Sequence, residues 1–301
     1  MVKKLEEGIL KRWYAAAKAT QIPLEFYNDI QVKTVYDSSE KSKYVLGVVF
    51  NPGRSKRPQV NRNDLQCNLC RVVDEVNKNP MKNLFSDYNI NDFVVTVNEF
   101  PPVEGASLLV TKKERVMYNS KNLKGLEEEL SEVIGFANKF GYNIFHQTIG
   151  AGATIGGHEH WHGSNWHPLY SKQGVYGFEA ADVEEVKGNK NVLHMPDFPF
   201  AHLICNEQDT ERMVYFLKNL DSRLKSPLKD GSIPHCLCQG DKGILVVPTK
   251  VDVGNRIGSA HMAGHFYLHS QEDFDSSTYE SCMSKLGEVL YPKEIGLKQI
   301  L

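Results

Sequence analysis

The sequence has no uninterrupted apolar stretch of about 18 residues, so it offers no candidate for a membrane-spanning helix. Its start, Met1-Val2-Lys3-Lys4-Leu5-Glu6-Glu7, lacks the apolar segment of a signal peptide, and a cytoplasmic location is therefore expected. An excess of either charge is also missing: 35 Lys and Arg face 37 Asp and Glu, a formal net charge of −2. Proteins that grip extended polyanions or anionic membranes carry a basic surplus, so neither nucleic acid nor a membrane is an expected partner. Any phosphate recognition must be local. Cysteine is sparse, with 6 in 301 residues, and without an export signal these are read as thiols or metal ligands rather than as a disulfide framework. Histidine, by contrast, is concentrated: three of the 11 fall in His158-Glu159-His160-Trp161-His162.

Hydrophobic periodicity divides the chain into elements. Leu5, Ile9, Leu10 and Trp13 at helical spacing predict an amphipathic helix over residues 1–20. Residues 44–50 read as a strand, followed by the basic loop Asn51-Pro52-Gly53-Arg54-Ser55-Lys56-Arg57-Pro58 and then Cys67-Asn68-Leu69-Cys70. The runs 93–97 and 106–110 flank a Pro-rich turn and predict a hairpin. Leu123, Leu126, Leu130, Val133, Ile134 and Ala137 predict a helix from Ser120 to Phe140, with Gly141 at its cap. A strand at 142–148 leads into Gly150-Ala151-Gly152-Ala153-Thr154-Ile155-Gly156-Gly157 and the histidine cluster. The later half restates the order: a strand at 201–205, a helix at 210–224, and strands at 235–238 and 243–248. His235-Cys236-Leu237-Cys238 has the alternation of a metal chelate, but it suits a strand with one buried face better. The expected architecture is α+β, a pseudo-duplicated antiparallel sheet with flanking helices. Residues 1–180 form a first half that holds the histidine cluster, and residues 181–301 a second, degenerate half.

What the cluster does depends on the backbone beneath it. Read as HExxH on a helix, it would be a zinc-protease signature with Glu159 as general base. Gly156-Gly157 before it and Gly163-Ser164-Asn165 after it leave no room for the turns required. On an extended segment, alternation sends His158, His160 and His162 to one face and Glu159 and Trp161 to the other. Such a set can hold a metal, as in cupin barrels, but the downstream Glu of that arrangement is missing between Trp161 and Pro168. It also suits nucleophilic attack by histidine on phosphorus. A neutral imidazole whose other nitrogen is held by a carbonyl is a competent nucleophile, and neighbouring glycines let backbone N–H groups approach a phosphate.

The segment from Gly150 to His160 resembles the active-site segment of the histidine-triad superfamily, in the branch of galactose-1-phosphate uridylyltransferase, the dinucleoside polyphosphate phosphorylases and the GDP-galactose phosphorylases. Val97-Asn98-Glu99-Phe100-Pro101, the Cys67-x-x-Cys70 pair and Asn51-Pro52-Gly53-Arg54 are similar to further segments of that branch. The likeness spans about residues 45–168 and is histidine-triad-like in the fold it implies.

The resemblance implies a two-step displacement. His160 attacks the α-phosphorus of a nucleotide or nucleotide-sugar substrate to give a nucleotidyl-histidine intermediate, which a phosphate or sugar-phosphate acceptor then resolves. His162 stands where the transferases have Gln and serves the phosphate or the leaving oxygen. Arg54, Asn98, Glu99, Gln147 and Thr154 are the implied nucleotide-binding residues. Cys67, Cys70 and His158 are the implied ligands of a structural zinc, with the fourth ligand unassigned. Where relatives place a histidine, Thr111-Lys112-Lys113-Glu114-Arg115 has none, and Glu114 is one substitute. Dimeric relatives make a homodimer an expectation. Histidine at 162 is the spelling of the triad hydrolases, so a phosphohydrolase stays open as the alternative, as does a non-catalytic nucleotide- or zinc-binding protein.

Overall fold

The computed structural model describes residues 2–22, 29–40, 42–53, 67–88, 90–98, 105–153, 157–164, 177–251 and 257–295. None of its helices is long and apolar enough to cross a membrane. The N-terminal helix α1 (Val2–Ala19) buries Ile9, Trp13, Ala16 and Ala17 along one stripe, as its periodicity predicts. The Trp13 indole N–H donates to Ala106 O at 3.1 Å and so ties the helix to the central sheet.

That sheet has nine strands: β3 (Phe93–Val97), β4 (Ser107–Thr111), β5 (Asn143–Gln147), β6 (His160–Ser164), β7 (Glu184–Val186), β8 (Asn189–His194), β9 (Leu203–Cys205), β10 (His235–Gly240) and β11 (Gly243–Pro248). Their spatial order is β3-β4-β6-β5-β10-β11-β9-β8-β7, and every neighbouring pair is antiparallel. Helix α3 (Leu126–Phe140) connects β4 to β5, and α4 (Thr210–Lys218) connects β9 to β10. The order therefore runs outward in the same sense from the central β5–β10 pair, strand by strand. Antiparallel pairing at that centre merges the two series into one sheet. A second sheet contains β1 (Gln31–Val35), β2 (Leu46–Phe50) and β12 (His265–Leu268), with β12 parallel to β2.

The two faces of the large sheet carry different layers. On one, Leu109, Trp161, Ile144 and Leu237 pack against α1, α3 and α4 in the main core. On the other, helix α2 (Asn68–Lys78) covers Val94 and Val110 of β3 and β4. The three-stranded sheet covers Phe145, Cys236, Cys238 and Val247 of β5, β10 and β11 on that same face. Strand β6 runs between those two covers, and this placement makes its outward side chains the floor of the site described below. Three short helices follow β11 among the described residues: α5 (Ser259–Met262), α6 (Gln271–Ser276) and α7 (Tyr279–Val289).

Two helices are shorter than their periodicity predicts. The helix expected from Ser120 begins at Leu126, because Gly125 adopts a left-handed φ of 84° and Asn119 and Asn122 pair across a polar turn. Its end is as read, with Gly141 at φ 67° donating its N–H to Ala137 O. The helix expected over 210–224 stops at Lys218, where Asn219 caps it and a single 3-10 turn follows at Leu220–Ser222. The alternating His235 to Cys238 run lies in β10 as a fully buried strand; its two thiols donate to Ala151 O and Ser259 O.

His202 supplies a pH-dependent element of stability. Its Nδ1–H donates to Phe200 O at 2.7 Å and its Nε2 accepts from the Met195 N–H at 2.8 Å, so a second ring proton would face a donor. Burial outweighs the Phe200 bond and pulls its pKa down to about 4. The unfolded imidazole takes up a proton below about pH 6.5, whereas the folded one waits until about pH 4, so this contribution is complete above 6.5 and is lost as the pH falls. It amounts to on the order of 3 kcal/mol across that window. Urea unfolding of His202→Gln is expected to show a flatter fall in stability between about pH 7 and pH 4 than the parent chain.

Candidate active site

The site begins where the sheet and α2 meet. Cys67 is the N-cap of α2, and its sulfur accepts from the Cys70 N–H at 3.3 Å, which turns both sulfurs toward one point beyond the helix end. His158, in the extended lead-in to β6, brings Nδ1 to 3.3 Å from each sulfur. Its Nε2–H donates to Thr111 O at 2.7 Å, which fixes the tautomer and leaves the Nδ1 lone pair facing the thiols. The three ligand atoms lie within 4.8 Å of one another. Burial first, then Cys67 and the Glu114 carboxylate that hydrogen-bonds it, pushes the Cys70 thiol up to about 12. Two sulfurs, an oriented imidazole and a nearby carboxylate form an electron-rich corner, and a divalent cation would reverse the penalty on thiolate formation.

His160 opens β6 and is buried. Its Nδ1–H donates to His158 O at 2.9 Å, so the lone pair of the ring belongs to Nε2. Burial, the largest influence, outweighs the Glu159 charge and holds the imidazole below its ordinary pKa, in the neutral form that a nucleophile needs. The His162 ring stands edge-on beside it, 5.3 Å between centroids. Phe145 of β5 pairs with His162 of β6, and alternation along the two strands puts Gln147 on the face of Phe145 and His160 on that of His162. His160, His162 and Gln147 thus share the face left between α2 and the three-stranded sheet.

Of the residues expected to hold a nucleotide, Arg54, Glu99 and Thr154 lie outside the described residues. Asn98 follows the end of β3, and its backbone N–H donates to Ala106 O at 3.1 Å. The Gln147 carboxamide oxygen accepts from the Ser259 N–H at 3.1 Å, which docks α5 against the end of β5. Gly152, at φ 107°, lies so close to Ile257 O that a Cβ there would stand 2.5 Å from it, so this member of the glycine run serves close packing. Among the described residues, no atom lies within 4 Å of where a Cβ on Gly157, next to His158, would stand.

A second group of residues lies directly behind the histidines, and alternation alone did not reveal it. Glu159 points to the far face, fully buried, with Oε1 2.7 Å from His146 Nε2 and Oε2 accepting from the Tyr118 N–H at 2.7 Å. Burial works to raise its pKa, and the His146 charge and hydrogen bond, with the Tyr118 N–H, outweigh it and hold the carboxyl below its ordinary range. Trp161, also on that face, donates from its indole to Glu129 Oε1 at 2.7 Å. Glu129 further accepts from Tyr118 OH at 3.2 Å and forms an ion pair with Arg115. The one signal in the sequence was negative: an acid at position 159, facing inward, required a buried partner.

No protein-family model matches the chain, and no curated protein matches it in sequence. Its likeness is to solved structures. The crystal structure of the yeast Ap4A phosphorylase Apa2 matches with a TM-score of 0.64 at 17% identity, covering 96% of this chain and 97% of that one. The same yeast enzyme in complex with AMP matches with a TM-score of 0.61 at 16% identity, and in complex with Ap4A with 0.60 at 16%; each covers 96% of this chain. An antiparallel sheet doubled about a central strand pair with flanking helices, matched over nearly the whole of both chains, gives this protein the fold of yeast Ap4A phosphorylase Apa2.

Proposed function

We propose that the chain is a nucleotidyl-transferring phosphorylase or nucleotidyltransferase acting on dinucleoside polyphosphates or nucleoside diphosphate sugars. The observation that carries this is His160: a buried, neutral imidazole at a strand start, with Nδ1 locked onto His158 O and Nε2 left as nucleophile. In the first step Nε2 attacks the α-phosphorus, the P–O bond to the leaving phosphate breaks, and its electron pair stays on the departing oxygen. In the second, an oxygen of inorganic phosphate or a sugar phosphate attacks the same phosphorus, and the P–N bond returns its pair to Nε2. His162, beside the reacting imidazole, donates a hydrogen bond to the α-phosphate or a proton to the leaving oxygen. Gly157 leaves room for a phosphate beside His158. Arg54, Asn98, Glu99, Gln147 and Thr154 complete the nucleotide site in this proposal, with Arg54 supplying local positive charge to a near-neutral chain. The halves 1–180 and 181–301 act as one catalytic and one supporting half, since β11, the strand placed like β6 in the second series, reads Gly243-Ile244-Leu245-Val246-Val247-Pro248 without histidine.

The test is a substrate panel. Diadenosine tetraphosphate and nucleoside diphosphate sugars are incubated with the chain, with and without inorganic phosphate or a sugar 1-phosphate. Turnover that depends on the added acceptor is expected. Equal turnover in water alone would make the chain a hydrolase, and binding without turnover across the panel would make it a non-catalytic binder.

Cys67, Cys70 and His158 fit a structural zinc in the same proposal, with Glu114 as the carboxylate within reach. When bound, the ion would cross-link the start of α2 to the lead-in of β6. Metal analysis of the purified chain is expected to return about one zinc per chain and to lose most of it in Cys70→Ser. Chelation is expected to lower the thermal midpoint by several degrees.

A further inference from the structure

The peptide unit joining His158 to Glu159 makes contacts at both ends. Its carbonyl accepts the Nδ1–H of His160 at 2.9 Å, and its N–H donates to Arg115 O at 2.7 Å. The tilt of that peptide plane therefore sets the direction of the His160 ring. Arg115 O belongs to the irregular segment 112–118, which follows β4 and has no ladder partner of its own to hold it. Its start is tied by the Lys112 N–H to Asp92 O at 2.7 Å and its side chains by Glu129, and its backbone near Arg115 is held by the Glu159 side chain, whose Oε2 takes the Tyr118 N–H at 2.7 Å while Oε1 meets His146 Nε2 at 2.7 Å. The Glu159 carbonyl accepts from both the N–H and the Oγ1–H of Thr111, at 3.2 and 3.1 Å. One residue thus grips β4, β5 and the 112–118 segment from behind, and both side chains of the Glu159–His146 pair are at most 1% exposed.

We propose that Glu159 and His146 are positioning residues for the reaction at His160. They hold the 112–118 segment, and through Arg115 O the 158–159 peptide, so that the His160 imidazole keeps its Nδ1–H tautomer and its aim. A carboxylate buried this deeply is costly unless it is paired, and a purely apolar residue here would satisfy the core equally well. The polar pair does what an apolar one cannot: it clamps a backbone N–H three residues beyond the carbonyl that orients the catalytic peptide. The inference rests on His160 being the nucleophile, and it adds residues on the opposite face of the sheet, none of which reaches the substrate.

The test compares Glu159→Gln, His146→Gln and His146→Leu in the full chain. Gln at 146 keeps a donor toward Glu159; Leu removes it. With a substrate that the panel identifies, Glu159→Gln and His146→Leu are expected to lower kcat about 10- to 100-fold with KM within about twofold, as misaimed reacting groups do. His146→Gln is expected to recover much of the loss. Independently of any turnover, 15N NMR of histidine-labelled protein reads the His160 tautomer. A single Nδ1–H form is expected in the parent chain, and a mixture or exchange-broadened signal in Glu159→Gln and His146→Leu. A folded Glu159→Gln with the parent's His160 tautomer pattern overturns the proposal, as does a kcat unchanged in both Glu159→Gln and His146→Leu. Because the NMR arm needs no substrate, an inactive chain with a Glu159-dependent tautomer would sink the phosphorylase reading while supporting the positioning role.

Discussion

His160→Asn is expected to abolish phosphorolysis, lowering turnover by at least about 10⁴-fold while the fold and the metal content stay intact. In the proposed mechanism the imidazole is the attacking group: burial keeps it neutral and His158 O fixes its tautomer, whereas the Nε2 of His202, a ring held in the same way by Phe200 O, is taken up by the Met195 N–H. Asn fills the space and can still donate to His158 O, so the loss is chemical rather than structural. A radiolabelled substrate separates the two steps. The parent chain is expected to carry acid-labile, base-stable label on the polypeptide, and His160→Asn none. His162→Gln, which restores the spelling of the transferases, is expected to keep the label and lose only about 10- to 100-fold in turnover, the scale of one general-acid or hydrogen-bond contribution. Label that persists in His160→Asn would remove the covalent mechanism altogether.

Trp161→Ala is expected to be the most destabilising single change near the site, by about 4–5 kcal/mol. Trp161 is 1% exposed, stacks within 4.6 Å of the His146 ring and packs with α3 in the main core. Truncation removes that area, leaves a cavity and strips Glu129 Oε1 of its indole donor at 2.7 Å. Trp161→Phe keeps most of the area and loses only the hydrogen bond to a charged acceptor, and is expected to cost about 1.5–3 kcal/mol. Urea unfolding of both variants apportions the effect between packing and the polar network. Two equal losses would show that the hydrogen bond carries the whole contribution; a stable Trp161→Ala would show that the layer behind β6 is not cooperative with the sheet.

Residues whose chemistry depends on near neighbours were legible beforehand. Alternation placed His160 and His162 on one face because a pleated backbone permits nothing else once glycine on both sides excludes a helix. The Cys67–Cys70 spacing read as a chelating pair because one helical turn brings those two sulfurs together, and the structure places beside them His158, the ligand the resemblance implied, about 90 residues later. Helix lengths were overestimated at Ser120 and at Leu224, since apolar spacing does not register the left-handed Gly125 or the cap at Asn219. Gln147 was expected among the nucleotide-binding residues; that its amide oxygen holds Ser259 depends on a contact 112 residues away.

The sequence by itself determined the strands and helices that its periodicity marks and the alternation that puts His160 and His162 on one face, because each follows from the period of the backbone; the donor set Cys67, Cys70 and His158 was implied only by the family resemblance. The tertiary structure alone decided that the two series of strands meet at β5 and β10, that β6 lies between α2 and a second sheet, and that Glu159 is answered by His146 and Tyr118. Those choices are made by pairing and burial across long stretches of chain. A buried carboxylate announces that it needs a partner, and only the folded core specifies which one.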